Sequence, residues 1–331
     1  MEHKKKVPNS IGIFGASGHI GGPMVRWLRY NAPDVRLRLI SSGEDKLAQL
    51  RASYPDCEIA IGNYYDLPSL TAAVSGIEGL FVIAPNGTRE EHAMTNLISA
   101  VRNSDSLIHM IRAVGVFPSV NPRRMPEALT NIGWGIATQH PIARRLLDES
   151  DLPVTYFNIG ASFMDNFLNP RFQMLSPGKV TWPNRRVPFI DPREIGEAGA
   201  RILLSDNARH LYQFHTLNNG YDNLYVGDVV RMMGEVLQTD IAYDSTKEGL
   251  IALFESAATR DRVRSDLAEY LWQFFRYEDA NDVAWTLNDF LERTLGRKPT
   301  TVRAWLQEHQ QQLRERLKDR RSRSPTADFV R

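Results

Sequence analysis

The run from Ser10 to Leu28, SIGIFGASGHIGGPMVRWL, constrains the fold more than any other stretch of this chain. Ile11 to Phe14 read as an apolar strand, Gly15, Gly18 and Gly21 recur as G-x-x-G-x-x-G, and Met24, Val25 and Leu28 follow at helical spacing. Gly15 suits a tight turn, Gly18 lets the backbone approach a pyrophosphate, and Gly21 lets the helix pack closely on the strand. A helix N-terminus presents free N–H groups and the positive end of its dipole, so the turn is suited to phosphate. The expected dinucleotide contacts are Gly15, Ser17, Gly18, His19 and Ile20.

Strand-like and helix-like segments then alternate. Val35 to Ser41 reads as the second strand, about 20 residues past the turn, where an acidic residue would hold a ribose 2′-hydroxyl and cations or hydroxyls would take a 2′-phosphate. Ser41 and Ser42 stand there, with Lys46 one helical turn on, while Glu44 and Asp45 follow too late to reach the strand tip. NADP(H) is therefore the expected cofactor, with NAD(H) as the alternative. A third strand (Ile59 to Ile61), a helix (Leu67 to Val74) and an apolar fourth strand (Gly79 to Ala84) lead to Pro85-Asn86-Gly87. Ligands collect at the carboxyl ends of parallel strands, which places Ala84, Pro85 and Asn86 beside the nicotinamide ribose. A helix (Glu90 to Asn103), a fifth strand (Leu107 to Val114), a helix (His140 to Asp148) and a sixth strand (Pro153 to Ile159) complete the pattern. It predicts an α/β fold, a Rossmann-type doubly wound parallel sheet.

Phe117 to Trp134, rich in Pro, Asn and Arg, reads as a flap. Gly160 to Val180 is aromatic and irregular and is expected to shape a substrate pocket. Phe157, Phe163, Asp165 and Asn166 are its candidate contacts, and Tyr156 offers another stacking surface. Val187 to Ile190 reads as a strand running into a capped helix (Glu194 to Leu204), and Leu211 to Thr216 as a further strand. Helices are expected near Val226 to Leu237, Gly249 to Glu255, Arg260 to Phe275, Val283 to Leu295 and Thr300 to Asp319. The expected organisation is a dinucleotide domain over residues 8–160 with a returning segment near 186–218. A smaller, mostly helical C-terminal substrate domain is interleaved over 161–319, and 320–331 forms a disordered tail.

Lys+Arg 40 against Asp+Glu 39 shows no global bias toward nucleic acid or an anionic membrane, so a small molecule is the expected partner. A homodimer or a regulatory protein partner stays open. The one cysteine, Cys57, excludes an intramolecular disulfide, and the neighbouring Asp56 and Glu58 disfavour a thiolate. No H-E-x-x-H, C-x-x-C or G-x-x-x-x-G-K stretch occurs, so no metal is expected. The polar N-terminus and the lack of a long apolar run point to a cytoplasmic protein. The basic run Arg314 to Arg323 reads as a solvated helix end.

Four blocks resemble one family in order and spacing: FGASGHIGG (Phe14 to Gly22), GNYYDLPSLTAAVSGIEGLFVIAP (Gly62 to Pro85), LPVTYFNIGASFMDNFL (Leu152 to Leu168) and VPFIDPREIGEAGARILL (Val187 to Leu204). This family is the NmrA-like branch of the atypical short-chain dehydrogenase/reductases. It includes isoflavone and phenylcoumaran benzylic ether reductases and azoreductase-like and quinone oxidoreductase-like proteins. The resemblance implies a Rossmann domain with an interleaved C-terminal substrate domain. It also implies NAD(P)H-dependent chemistry, or dinucleotide sensing without turnover as in the family's regulators. The chain departs from the pattern at Ser42 and Asn158, where members carry arginine, at Asn63, where an acid is frequent, and at His140, near where the phenylpropanoid reductases have lysine. His140 is therefore the candidate catalytic residue, as proton donor or carbonyl polariser. Tyr243-x-x-x-Lys247 lies too far along the chain to serve as the Tyr–Lys pair of ordinary short-chain dehydrogenases. The leading expectation is an NADPH-dependent reductase of an aromatic or conjugated metabolite of quinone, enone or ether type. The alternatives are a redox sensor acting through a protein partner and a non-redox lyase, isomerase or cyclase.

Overall fold

The computed structural model describes residues 4–117, 125–170, 172–261, 265–280 and 286–318. The chain divides into two compact units, one of residues 1–161, 191–220 and 285–299, the other of residues 162–190, 221–284 and 300–331.

The first unit is built on β1 (Ser10–Phe14), β2 (Arg36–Ser41), β3 (Glu58–Ile61), β4 (Gly79–Val82), β5 (His109–Val114) and β6 (Val154–Ile159). Its helices are α1 (Gly21–Asn31), α2 (Glu44–Ser53), α3 (Leu67–Val74), α4 (Glu90–Ser104), α5 (Glu127–Thr130), α6 (Ile136–Asp148) and α7 (Pro192–Leu204). With the edge strand Phe214–Leu217 they give a seven-stranded sheet in the order Phe214–Leu217, β6, β5, β4, β1, β2, β3. Every pairing is parallel. All residues of β1, β4 and β5 are buried, as a sheet covered on both faces requires. One face packs Phe14, Leu80, Val82, Met110 and Val114 against Met94, Leu97 and Val101 of α4 and Ala143 and Leu147 of α6. The chain reverses its direction across the sheet between β3 and β4, so β1 and β4 are neighbours and flank the switch point where ligands bind in such sheets.

Several elements differ from the sequence reading. β4 ends at Val82, before the Asn86–Gly87 turn, in which Gly87 has φ +94°. α6 begins at Ile136, four residues before the expected start at His140, so Pro141 sits inside it. The Val283 to Leu295 helix is shorter, Phe290–Leu295, and residues 285–299 cluster with the first unit. Asn288 explains this placement by donating to Thr216 O at 3.0 Å, and Phe290 by stacking on His215 with ring centroids 4.0 Å apart. Residues 118–124 of the expected flap lie outside the described residues, and Glu127–Thr130 forms a single helical turn.

In the second unit Arg186–Ile190 pairs in parallel with Ser162–Phe163 and antiparallel with Asn223–Tyr225. Lys179–Thr181 pairs antiparallel with Leu175–Ser176 and in parallel with Ala242–Asp244. The stretch read as irregular thus carries short strands and a 3₁₀ turn over Met164–Phe167. Helices span Val226–Leu237, Lys247–Asp261 and Leu267–Ala280. The run expected as one helix to Asp319 is two, Val302–Glu308 and Gln310–Leu317, parted at His309, whose ring stacks on Trp305. Trp182 packs against Phe172, Phe254 and Phe275. The 320–331 tail lies outside the described residues. Among the described residues no helix is long and apolar enough to cross a membrane.

Candidate functional site

At the end of β1 the chain turns through Gly15 at φ +69°, a conformation that a side chain disfavours. The Gly15 N–H reaches Ile40 O at 3.3 Å, and the Gly18 N–H closes the turn on Gly15 O at 2.8 Å. A Cβ on Gly21 would stand 2.4 Å from Gly15 O, so helix and turn meet at a distance only glycine allows. The residue that caps α1 is Ile20, whose buried side chain makes no capping bond, and the first turn of α1 holds no acid. Gly15, Ser17, Gly18 and His19 are exposed around it. Within the first turn of α1 the Gly22 N–H bonds Gly18 O at 2.9 Å, the Met24 N–H bonds Ile20 O at 3.3 Å and Pro23 has no N–H, so what this end presents to a pyrophosphate is the exposed glycine loop at the positive end of the helix dipole.

The neighbouring strand ends complete an open edge. A Cβ on Gly15 would lie 2.8 Å from Ile83 Cγ2, which sets the glycine turn against the tip of β4. Beyond it Ala84 is half-buried and Pro85 and Asn86 are exposed, with Pro85 O accepting from the Thr88 hydroxyl at 2.7 Å. At the tip of β2, Ser41 is buried and its hydroxyl donates to Gly43 O at 3.4 Å, so it closes its own turn. Ser42 and Lys46 are exposed, and residues 41–43 carry no carboxylate.

At the end of β5 side chains take over. His140 is 16% exposed, and its Nδ1 accepts the Gly115 N–H at 2.7 Å. Burial first, and the Arg112 guanidinium second, push its pKa down to about 3. Protonating Nδ1 would also set two donors face to face. This corrects the expectation of a histidine acid titrating near neutrality: the imidazole is neutral, with its proton on Nε2. Nε2 lies 3.9 Å from Glu90 Oε1. Glu90 in turn accepts from Arg112 Nη2 at 2.6 Å, both side chains being 0–1% exposed. Arg112 Nη1 donates to Ala113 O at 2.7 Å, and the Glu90 N–H donates to Gln139 Oε1 at 3.1 Å. Asn158 accepts the Val116 N–H at 2.7 Å. The sequence reading missed Glu90 and Arg112, although a lone arginine inside the apolar run LIHMIRAV was a visible signal of a buried ion pair.

The glycine turn, Ser41, Ser42, Lys46, Ala84 to Asn86 and His140 thus share the carboxyl edge of one sheet. The expected substrate contacts fare differently. Phe157 is fully buried in the first unit, edge-on to Phe290 at 6.1 Å, which removes it from any ligand surface. Tyr156 is buried too, its hydroxyl donating to Asp148 Oδ1 at 2.8 Å. Phe163, Asp165 and Asn166 lie in the second unit, half-buried, on the strand Ser162–Phe163 and the 3₁₀ turn that follows. Lys247 pairs with Glu269 at 2.8 Å. Burial pushes the Cys57 thiol up, against the pull of the Arg29 guanidinium, so the flanking carboxylates are not the cause. Among the described residues no group of metal ligands occurs.

Residues 15–179 match a family model described as NAD(P)H-binding. No curated protein matches the sequence. Among solved structures the chain resembles a Citrobacter sp. triphenylmethane reductase complexed with NADP(H), at TM-score 0.72 and 18% identity over 90% of this chain and 99% of that one. It resembles an Escherichia coli NADPH-dependent quinone oxidoreductase complexed with NADPH, at TM-score 0.72 and 18% identity over the same shares of the two chains. An N12G, A18G mutant of NmrA is similar at TM-score 0.67 and 15% identity, over 92% of this chain and 95% of that one. At these identities the likeness establishes a shared Rossmann-like fold.

Proposed function

Because the chain belongs to the NAD(P)H-binding family, we propose that it is an NADPH-dependent reductase of a conjugated small molecule of quinone, enone or aromatic ether type. The observation that carries this reading is the glycine turn, open and left uncapped by Ile20 at an acid-free helix start. Gly15 to Ile20 would border the pyrophosphate at the positive end of the α1 dipole. Ser42 and Lys46 would take the 2′-phosphate, with Ser41 shaping the turn, and Ala84, Pro85 and Asn86 would border the nicotinamide ribose. When bound, the nicotinamide would supply a hydride, one proton with two electrons, to the substrate. The words quinone and triphenylmethane in the names of two structural neighbours support the conjugated class. Phe163, Asp165 and Asn166 remain the proposed substrate contacts.

A second reading is supported by His140. A neutral imidazole held by Gly115 is a poor acid, as a dinucleotide sensor acting through a protein partner would tolerate. Purified protein should oxidise NADPH faster than buffer with at least one member of a panel of quinones, enones and aromatic ethers. NADPH binding without any turnover across the panel would favour the sensor.

A further inference from the structure

Arg112 and Glu90 occupy positions that a stable core would fill with apolar side chains, and holding a dinucleotide gives neither a task. A buried ion pair is often no more stabilising than hydrophobic groups of similar size. This pair meets the backbone at the end of β5 and the imidazole of His140. Arg112 binds Ala113 O, Glu90 faces His140 Nε2, and His140 holds the Gly115 N–H. We infer that Arg112 is a positioning residue, whose cation pairs with Glu90 and so keeps that carboxylate from charging His140, leaving a neutral Nε2–H imidazole that fixes the Gly115 amide at the strand end. For its catalytic consequence this rests on the reductase reading, whereas the state of the ring does not.

The charged groups facing the ring are Glu90 from α4 and Arg112 from β5. Arg144, on the same helix, is turned to Asp148 and to the rings of Tyr156 and Phe214. The Tyr64 hydroxyl donates to Ile83 O. Without the Arg112 cation, Glu90 would face the imidazole alone and draw a proton onto it.

Nitrogen-15 NMR of labelled imidazoles in the cofactor-free protein tests this, with His140→Gln identifying the resonance. In the wild type, His140 should show a bare Nδ1 and a protonated Nε2 with no ionisation between about pH 5 and 8. Arg112→Met should bring an ionisation into that window, and the double variant Glu90→Leu/Arg112→Met should remove it again. A wild-type ring that titrates near neutrality, or one that Arg112→Met leaves untouched, overturns the inference. Should Arg112→Met fail to fold, the wild-type titration still decides, and Arg112→Lys should keep the ring neutral by retaining the charge. On the reductase reading, Arg112→Met should lower kcat about tenfold at unchanged NADPH affinity. It should also make turnover follow the state of the ring measured by NMR. Absence of turnover in every variant would count against the reductase while leaving the NMR result standing.

Discussion

Two strand ends on one sheet edge are built in opposite ways. At the end of β1 side chains are missing: three glycines and a helix start with no side-chain cap leave an open backbone loop. At the end of β5 the backbone is tied down by side chains, with a fully buried Arg112–Glu90 pair and a histidine that accepts rather than donates. The first arrangement offers a surface to a ligand that arrives with its own charge. The second brings its charges along and pairs them internally. The contrast separates two ways of holding geometry, by what the backbone can adopt and by what side chains enforce.

The sharpest break in this contrast is Arg112→Met. Leaving Glu90 buried and unpaired should cost about 3–5 kcal/mol of stability, whereas Glu90→Leu/Arg112→Met together should come close to wild type. Urea unfolding of the three proteins checks it, and equal losses in single and double variants would show that the pair itself stabilises the fold. Gly18→Val attacks the other end. A Cβ there would stand 3.1 Å from Gly15 O, and the larger side chain would crowd the cradle. NADPH affinity should fall about 100-fold, equivalent to about 2.7 kcal/mol, with the far-ultraviolet spectrum unchanged. Calorimetric titration reads it.

The next effect concerns pH. The unfolded chain protonates His140 near 6.5, whereas burial and Arg112 hold the folded value down to about 3. The unfolded state therefore binds the extra proton first as pH falls. The stability tied to the neutral ring is present above about 6.5 and is lost progressively toward 3, amounting to about 1.5 kcal/mol between pH 6.5 and 5. It is measured as the difference in unfolding free energy between wild type and His140→Gln at the two pH values. The cradle, made of backbone, should contribute no such slope. The smallest effect is expected from Lys46→Ala, which should weaken NADPH binding about three- to tenfold and leave NADH unchanged, since one exposed cation on a phosphate is worth about 1 kcal/mol. Equal loss for both cofactors would take Lys46 away from the 2′-phosphate.

The same contrast explains what could be read from the residues alone. The cradle was legible because a backbone requirement translates into one residue type within a short span, and strand, turn and helix periodicity follow it directly. The parallel, doubly wound sheet follows from the alternation of elements, whereas its strand order is seen only in the structure. The β5 end was not legible, because it depends on partners 22 and 25 positions apart, Glu90 with Arg112 and His140 with Gly115. Pro141 suggested a helix start at His140, although the helix accommodates that proline past its first turn. Phe157 shows a further limit: periodicity says that a strand residue is apolar without saying what covers it, and the cover is Phe290, far along the chain.

The first unit is assembled from three separate lengths of chain, and this governs how it can be made. β6 bonds to β5 on one side and to Phe214–Leu217 on the other. A nascent chain that has reached residue 179 holds six of the seven strands, but VTYFNI then forms an unprotected sheet margin of the sort that pairs with other chains. That margin stays open until Leu217 has been synthesised, and His215 and Phe157 gain their ring partner only when Phe290 follows. Closure over such long separations is slow. A fragment cut at residue 179 would thus expose the outer edge of β6, which the strand Phe214–Leu217 covers in the full chain.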